Sequence, residues 1–371
     1  MESKFLGQSV IIDTTEKIIT FHNQPNVFWV DIILKSFNEG LPLRENSLYT
    51  SLIDFLSYFK DGYRFIVDEH WEGHSVEEIC SNFNYTFFEV LDDFKENYNI
   101  QPNFFSIITS NLYYYFYEPT PYIHSYLHWL HTDNIIRNTE LWNNFENKSF
   151  YKKFVYLNRI PKDYRVKLYD KILKTNILDN AIWSWNSTGI LYSNQKSNHI
   201  NKALEDNLTP YSQFTEDMLL REPSTPHLDV FCSILVESEI ELRALFISEK
   251  TAKCFIYEIP FVVYSSQYFL KTLKKLGFKT FSKWWDESYD LEPDLDTRID
   301  KIMNVLNEIN SKPIEELKII YNDMKEILTF NKQHYKNIFE GKIHKNLVTK
   351  PKTFDKINDL LKNNQIVPKI L

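Results

Sequence analysis

FISEKTAKCFIYEIPFVVYSSQYFLKTLKKLGFKTFSKWWDESYD, residues 246–290, is the stretch whose reading decides the fold. It holds two apolar, β-prone runs, 254–257 (CFIY) and 261–264 (FVVY). An amphipathic segment at 267–276 follows them and predicts a helix. Gly277 stands directly after it, where a helix stop is expected. Ahead of the first run lies the polar group Ser248, Glu249, Lys250 and Thr251. A polar group at the end of an apolar element is where open α/β sheets present ligands.

Working outward, the same alternation of apolar run, polar end and helix recurs. Strands are expected at 9–14 (SVIIDT), 63–68 (YRFIVD), 104–109 (FFSIIT), 152–158 (KKFVYLN), 181–185 and 227–236 (HLDVFCSILV). Residues 27–37 read as a strand running into a helix, and 112–117 (LYYYFY) as an aromatic strand or packed loop. Helical spacing appears at 47–59 and 165–174. Ser75 with Glu78 three residues on has the form of a capping box. Repetition of strand, polar end and helix implies parallel sheets in an α/β protein. The segments 297–309, 313–330 and 353–362 read as charged amphipathic packing helices. The crossing between two domains is placed near residue 150.

A chain of 371 residues is long enough for two such domains. Low Gly with abundant Asn, Lys, Ile, Phe and Tyr has the look of coding bias from an AT-rich genome. A net charge of -8 speaks against a nonspecific nucleic-acid binder, although a local basic cleft is compatible with it. Cys80, Cys232 and Cys254 are odd in number and far apart, so neither a disulfide framework nor a zinc site is expected, and a reducing, cytoplasmic setting fits. The start MESKFLGQS lacks the form of a signal peptide, and no run approaches a transmembrane span.

Several groups could carry chemistry. Glu249 and Lys250, with Ser248 as helix cap and Thr251 beside it, form an anion site for a nucleotide diphosphate, or else a capping Glu and a solvated Lys. Arg159 and Arg165 flank the turn after the strand at 152–158, where an arginine can clamp phosphate. Glu237-Ser238-Glu239 ends the strand at 227–236 and offers carboxylates to sugar or ribose hydroxyls. Asp286, Glu287 and Asp290 beside Trp284 and Trp285 either hold polyols or cap and solvate. In the first domain Glu72, with Asp68, Glu69 and His70, is the best source of a general base. Neither a dinucleotide-binding glycine motif nor a Walker motif occurs, which argues against NAD and P-loop enzymes. His124 and His128 lack the metalloprotease glutamate and are read as coincidence.

On the residues FISEKTAK, IPFVVY and FLKTLKKLGFKTFSKWWDESYD, with KKFVYLNRIPKDYRVKLYDKI and DVFCSILVESE, the chain resembles a group of viral and bacterial glycosyltransferase-like proteins. That group is distantly similar to the family 10 α-1,3-fucosyltransferases. The resemblance implies a GT-B architecture of two Rossmann-like domains, at 1–149 on the acceptor side and 150–300 on the nucleotide-sugar side, with a helical extension at 301–371. It implies inverting transfer from a GDP- or UDP-sugar to a hydroxyl acceptor without an essential metal or other cofactor. The acceptor is a glycan or a modified base in viral DNA, and the setting host cytoplasm if the protein is viral. Carried over, Glu249, Lys250 and either Arg159 or Arg165 hold the nucleotide and phosphates, and Glu237 matches an acidic strand-end residue. The chain departs from the group at Cys254, where relatives often have Pro. The alternative is a catalytically inactive binding or structural protein of a virus.

Overall fold

The computed structural model describes residues 4–21, 32–33, 41–69, 85–125, 127, 148, 150–158, 162–187, 190–193, 226–238, 240, 243–344 and 347. The protein is α/β, with two mixed sheets, each flanked by helices. It divides into two compact units: residues 1–128, 241–246 and 345–371, and residues 129–240 and 247–344.

In the first unit, six strands lie side by side in chain order: β1 (Lys4–Phe5), β2 (Gln8–Asp13), β3 (Ile18–Phe21), β4 (Arg64–Glu69), β5 (Phe105–Thr109) and β6 (Ile123–Ser125). β1 to β3 are antiparallel hairpin neighbours, and β3 to β6 run parallel. All five residues of β5 are buried, as expected for a strand covered on both faces. Helices α1 (Ser47–Asp54), α2 (Leu56–Lys60) and α3 (Phe87–Tyr98) supply the apolar faces. Their core is largely phenylalanine, including Phe5, Phe55, Phe59, Phe65, Phe94 and Phe105. The Phe65 and Phe105 rings stack with centroids 5.4 Å apart. α3 begins at a capping box in which Thr86 and Glu89 exchange side-chain and backbone bonds.

In the second unit the order is β11 (Phe261–Tyr264), β10 (Val230–Val236), β7 (Lys152–Asn158), β8 (Ala181–Ser187) and β9 (Ile190–Ser193). The first four are parallel, and β9 closes the edge antiparallel to β8. Its helices are α5 (Asp163–Leu173), α6 (Glu249–Ile256), α7 (Phe269–Lys275), α8 (Leu295–Ser311) and α9 (Ile314–Phe339). α8 packs on α5 and β11, and α9 packs on α6 and β10. These two helices are therefore part of the layer covering the second sheet. The ion pairs Lys167–Asp296 and Lys171–Asp300 link α5 to α8 across exposed side chains and add little stability.

Three expectations are corrected. The run 254–257 is not a strand, since 254–256 complete α6. Ser248 caps that helix and Thr251, Ala252, Cys254, Phe255 and Ile256 all face inward, so the apolar run belongs to a buried helical face. The run 112–117 contains a single helical turn, α4 (Tyr113–Phe116), because the Asn111 side chain accepts the Tyr113 amide and starts it. Both sheets are mixed instead of purely parallel. The expected helix starts near 27–37 and at Ser75, and the helix at 353–362, lie outside the described residues apart from 32–33.

Candidate functional site

The site begins with a property of the second sheet. From β7 the chain proceeds through α5 to β8 on one side, while β10 lies on the other side of β7. The strand order thus reverses between β7 and β10, and ligands of open α/β sheets collect at the carboxyl ends of the strands flanking such a point. Val230 pairs with Lys152 and Cys232 with Phe154, and continuing this register ends both strands together, at Val236 and Asn158.

Glu237 is the first residue beyond β10, and it is fully buried. Its amide donates to the Tyr264 carbonyl at 3.0 Å, extending the pairing with β11. Its Oε1 accepts the Ser248 amide at 3.2 Å and the Thr251 hydroxyl at 2.5 Å. Its Oε2 is enclosed and has no hydrogen-bond partner among the described residues. Burial pushes the Glu237 carboxyl above the usual carboxylate range, against the pull of Lys250, Ser248 and Thr251.

α6 starts directly on this carboxyl. Ser248, fully buried, is its N-cap, and its Oγ accepts the Lys250 amide at 3.2 Å. The Lys250 ammonium donates to Ser238 Oγ at 3.0 Å and Ser248 Oγ at 3.3 Å, and lies 3.5 Å from Glu249 Oε1. About a third of the Lys250 side chain still reaches solvent (29%). Burial opposes ionisation of Glu249, but Lys250 and Lys253 outweigh it and hold its carboxyl down at about 2. A carboxylate in the first turn of a helix is also favoured by the helix field.

The start of α5 closes the cluster from the other side. Lys162 Nζ donates to the Ser238 carbonyl at 2.8 Å, and the Tyr164 hydroxyl donates to the same carbonyl at 2.5 Å. Arg165, buried, donates through one terminal nitrogen to the Glu237 carbonyl at 3.3 Å, and its guanidinium lies over the Tyr164 ring. Residues 237–238 are thus a hub: their carbonyls take three donors from α5, and their side chains hold the first turn of α6. The hub brings together Arg165, Glu237, Ser248, Lys250 and Thr251, with Glu249 beside Lys250. Lys162 and Tyr164 were not singled out by sequence reasoning. Their bonds go to backbone carbonyls, which no side-chain motif announces.

The other groups divide differently. Asp290 is buried and caps α7 by accepting the Leu270 and Lys271 amides at 2.7 and 3.0 Å. Burial raises its carboxyl to about 6. Glu287 accepts from the Phe281 amide and the Thr280 hydroxyl, Asp286 from Ser288, and Trp284 donates to Asp323. These acids cap and tie turns, and Trp285 packs in the core. In the first unit Asp68 and Glu69 occupy the end of β4, with side chains outside the described residues. His70 and Glu72 lie outside the described residues, as do Arg159 and Glu239. His124 is half-buried, and desolvation of its ring depresses its imidazole to about 4.

Among the described residues, no group of three or more His, Cys, Asp or Glu side chains could hold a metal ion, and no helix is long and apolar enough to cross a membrane. Comparison of the chain with protein-family models, with curated proteins and with solved structures finds no match in any of the three.

Chemically, the hub offers the partly exposed Lys250 ammonium, with that of Lys162 on the Ser238 carbonyl, two serine hydroxyls and the positive end of α6 at a sheet switch point. That set suits an anionic ligand with adjoining hydroxyls, such as a phosphorylated sugar or nucleotide.

Proposed function

We propose that the protein is a nucleotide-sugar-dependent, inverting glycosyltransferase of GT-B type. The observation that carries this reading is the gathering of Lys250, Ser248, Ser238 and Arg165 where the strand order of the second sheet reverses. The resemblance of roughly residues 152–298 to glycosyltransferase-like proteins supports it. The donor is a GDP- or UDP-sugar whose diphosphate rests against the start of α6. Lys250 supplies charge to the departing diphosphate, and Arg165 or Arg159 adds a guanidinium, so that electrostatic stabilisation of the leaving group is the main catalytic effect. The chain's own cations do this work without a metal. Glu72, or its neighbours Asp68 and His70, takes the proton of the acceptor hydroxyl on a glycan or a modified base in viral DNA.

A second reading has one observation in its favour. Lys250 is already bonded to two serines, and Arg165 is buried against a carbonyl. Such groups suit a catalytically inactive binding protein that keeps the scaffold and has lost turnover. A thermal-shift screen of wild type and Lys250→Ala against GDP-, UDP-, ADP- and CDP-sugars tests the main reading. It expects stabilisation by one nucleotide class, lost in the variant. Binding without hydrolysis or transfer would favour the inactive protein, and no response to any nucleotide would reject both donor assignments.

A further inference from the structure

Glu237 Oε2 is a carboxyl oxygen sealed from solvent that has no hydrogen-bond partner among the described residues. Every other polar atom of that residue has a defined task. Its amide pairs with β11, its carbonyl takes Arg165 and Tyr164, and its Oε1 takes the Ser248 amide and the Thr251 hydroxyl. Two donors on Oε1 and none on Oε2 is an uneven pattern for an ionised carboxylate, whose charge is shared by both oxygens. An enclosed anionic oxygen without a donor is strongly disfavoured, and a neutral carboxyl avoids most of that penalty.

The groups around Glu237 come from three elements, of which α6 faces the carboxyl while α5 and β11 hold its backbone. α6 contributes Ser248, Thr251, Lys250 and Glu249, together with the Cys254 thiol that burial pushes up to about 12. α5 contributes Tyr164 and Arg165, and β11 contributes the Tyr264 backbone. Glu249 is ionised and already lies beside Lys250. A second ionised carboxyl at Glu237 would place two negative charges around the Lys250 ammonium, which reaches solvent.

We infer that Glu237 is the positioning residue of this site: as a neutral carboxylic acid it carries the first turn of α6 and leaves the Lys250 ammonium opposed by Glu249 alone, so that the phosphates of a nucleoside diphosphate can be received. The inference rests on the donor site proposed above for its ligand, but the state of the carboxyl is open to measurement without any ligand. Glu237 does not touch the diphosphate. It acts through Ser248, whose amide it accepts, and through Lys250, whose ammonium and amide both bond to Ser248.

The full-length chain is compared with Glu237→Gln and Glu237→Ala by infrared difference spectroscopy at neutral pH and by equilibrium dialysis with GDP and UDP. A neutral Glu237 gives the carbonyl stretch of a protonated carboxylic acid, missing from E237Q. The glutamine keeps the Oε1 acceptor and the neutral charge, so E237Q binds the nucleotide within about twofold of wild type, while E237A loses about tenfold. Should E237A not fold, the infrared band and the affinity of E237Q still decide. Absence of the protonated-carboxyl band, or an E237Q affinity that differs from wild type by tenfold or so, overturns the inference. If the band is present but neither wild type nor E237Q binds GDP or UDP, the donor assignment fails and the neutral state of Glu237 stands.

Discussion

Two turns, one in each unit, solve the same problem with different chemistry. After β5, Ser110 and Asn111 close the strand end, and after β10, Glu237 and Ser238 do so. Asn111 and Glu237 are both fully buried, and both use a side chain to accept a backbone amide from the stretch around 243–251. Asn111 is neutral and well occupied: Oδ1 accepts from Tyr113 and Leu245, and Nδ2 donates to the Arg243 carbonyl at 2.7 Å. Glu237 carries a titratable group with one oxygen unpartnered among the described residues, next to an ammonium that reaches solvent. A closure built for stability alone has no need of a carboxyl there, since an amide satisfies the same backbone at lower desolvation cost. The contrast marks the second turn as the one arranged around charge.

If that contrast is right, the largest stability loss belongs to the neutral turn. Asn111→Ala strips partners from the Tyr113 and Leu245 amides and the Arg243 carbonyl at once. Chemical denaturation is expected to show a loss of about 3 kcal/mol. A cost near zero would mean that Asn111 is no closure at all. Glu237→Ala follows at about 2 kcal/mol, for the Ser248 amide and the Thr251 hydroxyl left without an acceptor.

The pH dependence sharpens the comparison further. With its pKa raised in the folded protein, Glu237 binds its proton more tightly than in the unfolded chain. The stability this contributes is full at acid pH, below the ordinary carboxyl value of about 4.3, and is lost as pH rises through the raised value. Melting temperatures of wild type and Glu237→Gln should therefore diverge in favour of the glutamine as the solution becomes more alkaline. Asn111→Asp, which puts a carboxyl into the neutral turn, should instead fall further below wild type over the same rise in pH. Ser248→Ala removes the cap of α6 and costs about 1 kcal/mol. Smallest is Glu249, whose depressed carboxyl gives the opposite sign. Its contribution is present above the ordinary value of about 4.3 and fades as pH falls toward about 2, so Glu249→Gln should flatten the acid limb of the stability curve.

Much of the frame was legible because continuous apolar runs with polar ends are distinctive. KKFVYLN, HLDVFCSILV and FVVY each contain the strand expected of them, YRFIVD holds all but the last residue of its strand, and Gly277, at φ +94°, stops α7 as its position suggests. CFIY was illegible for a physical reason. Four apolar residues fit a buried strand and the buried face of a short helix equally, and only the cap at Ser248 decides between them. The antiparallel edges at β1 to β3 and at β9 escaped because edge pairing depends on how the chain turns, not on apolar pattern. In the site, side-chain chemistry pointed to Glu237, Glu249 and Lys250, whereas the donors Lys162 and Tyr164 bind carbonyls and leave no signature. The acids at 286–290 looked equally promising in sequence. Their carboxylates face backbone amides and neighbouring side chains that they cap, which spacing alone does not reveal.

The most direct test of the central claim is calorimetric titration of GDP and UDP into wild type and Lys250→Ala at low ionic strength. The account predicts that one of the two nucleotides binds wild type and that the variant loses about tenfold or more in affinity while melting close to wild type. Equal affinity in both proteins, or no binding of either nucleotide to wild type, would contradict it.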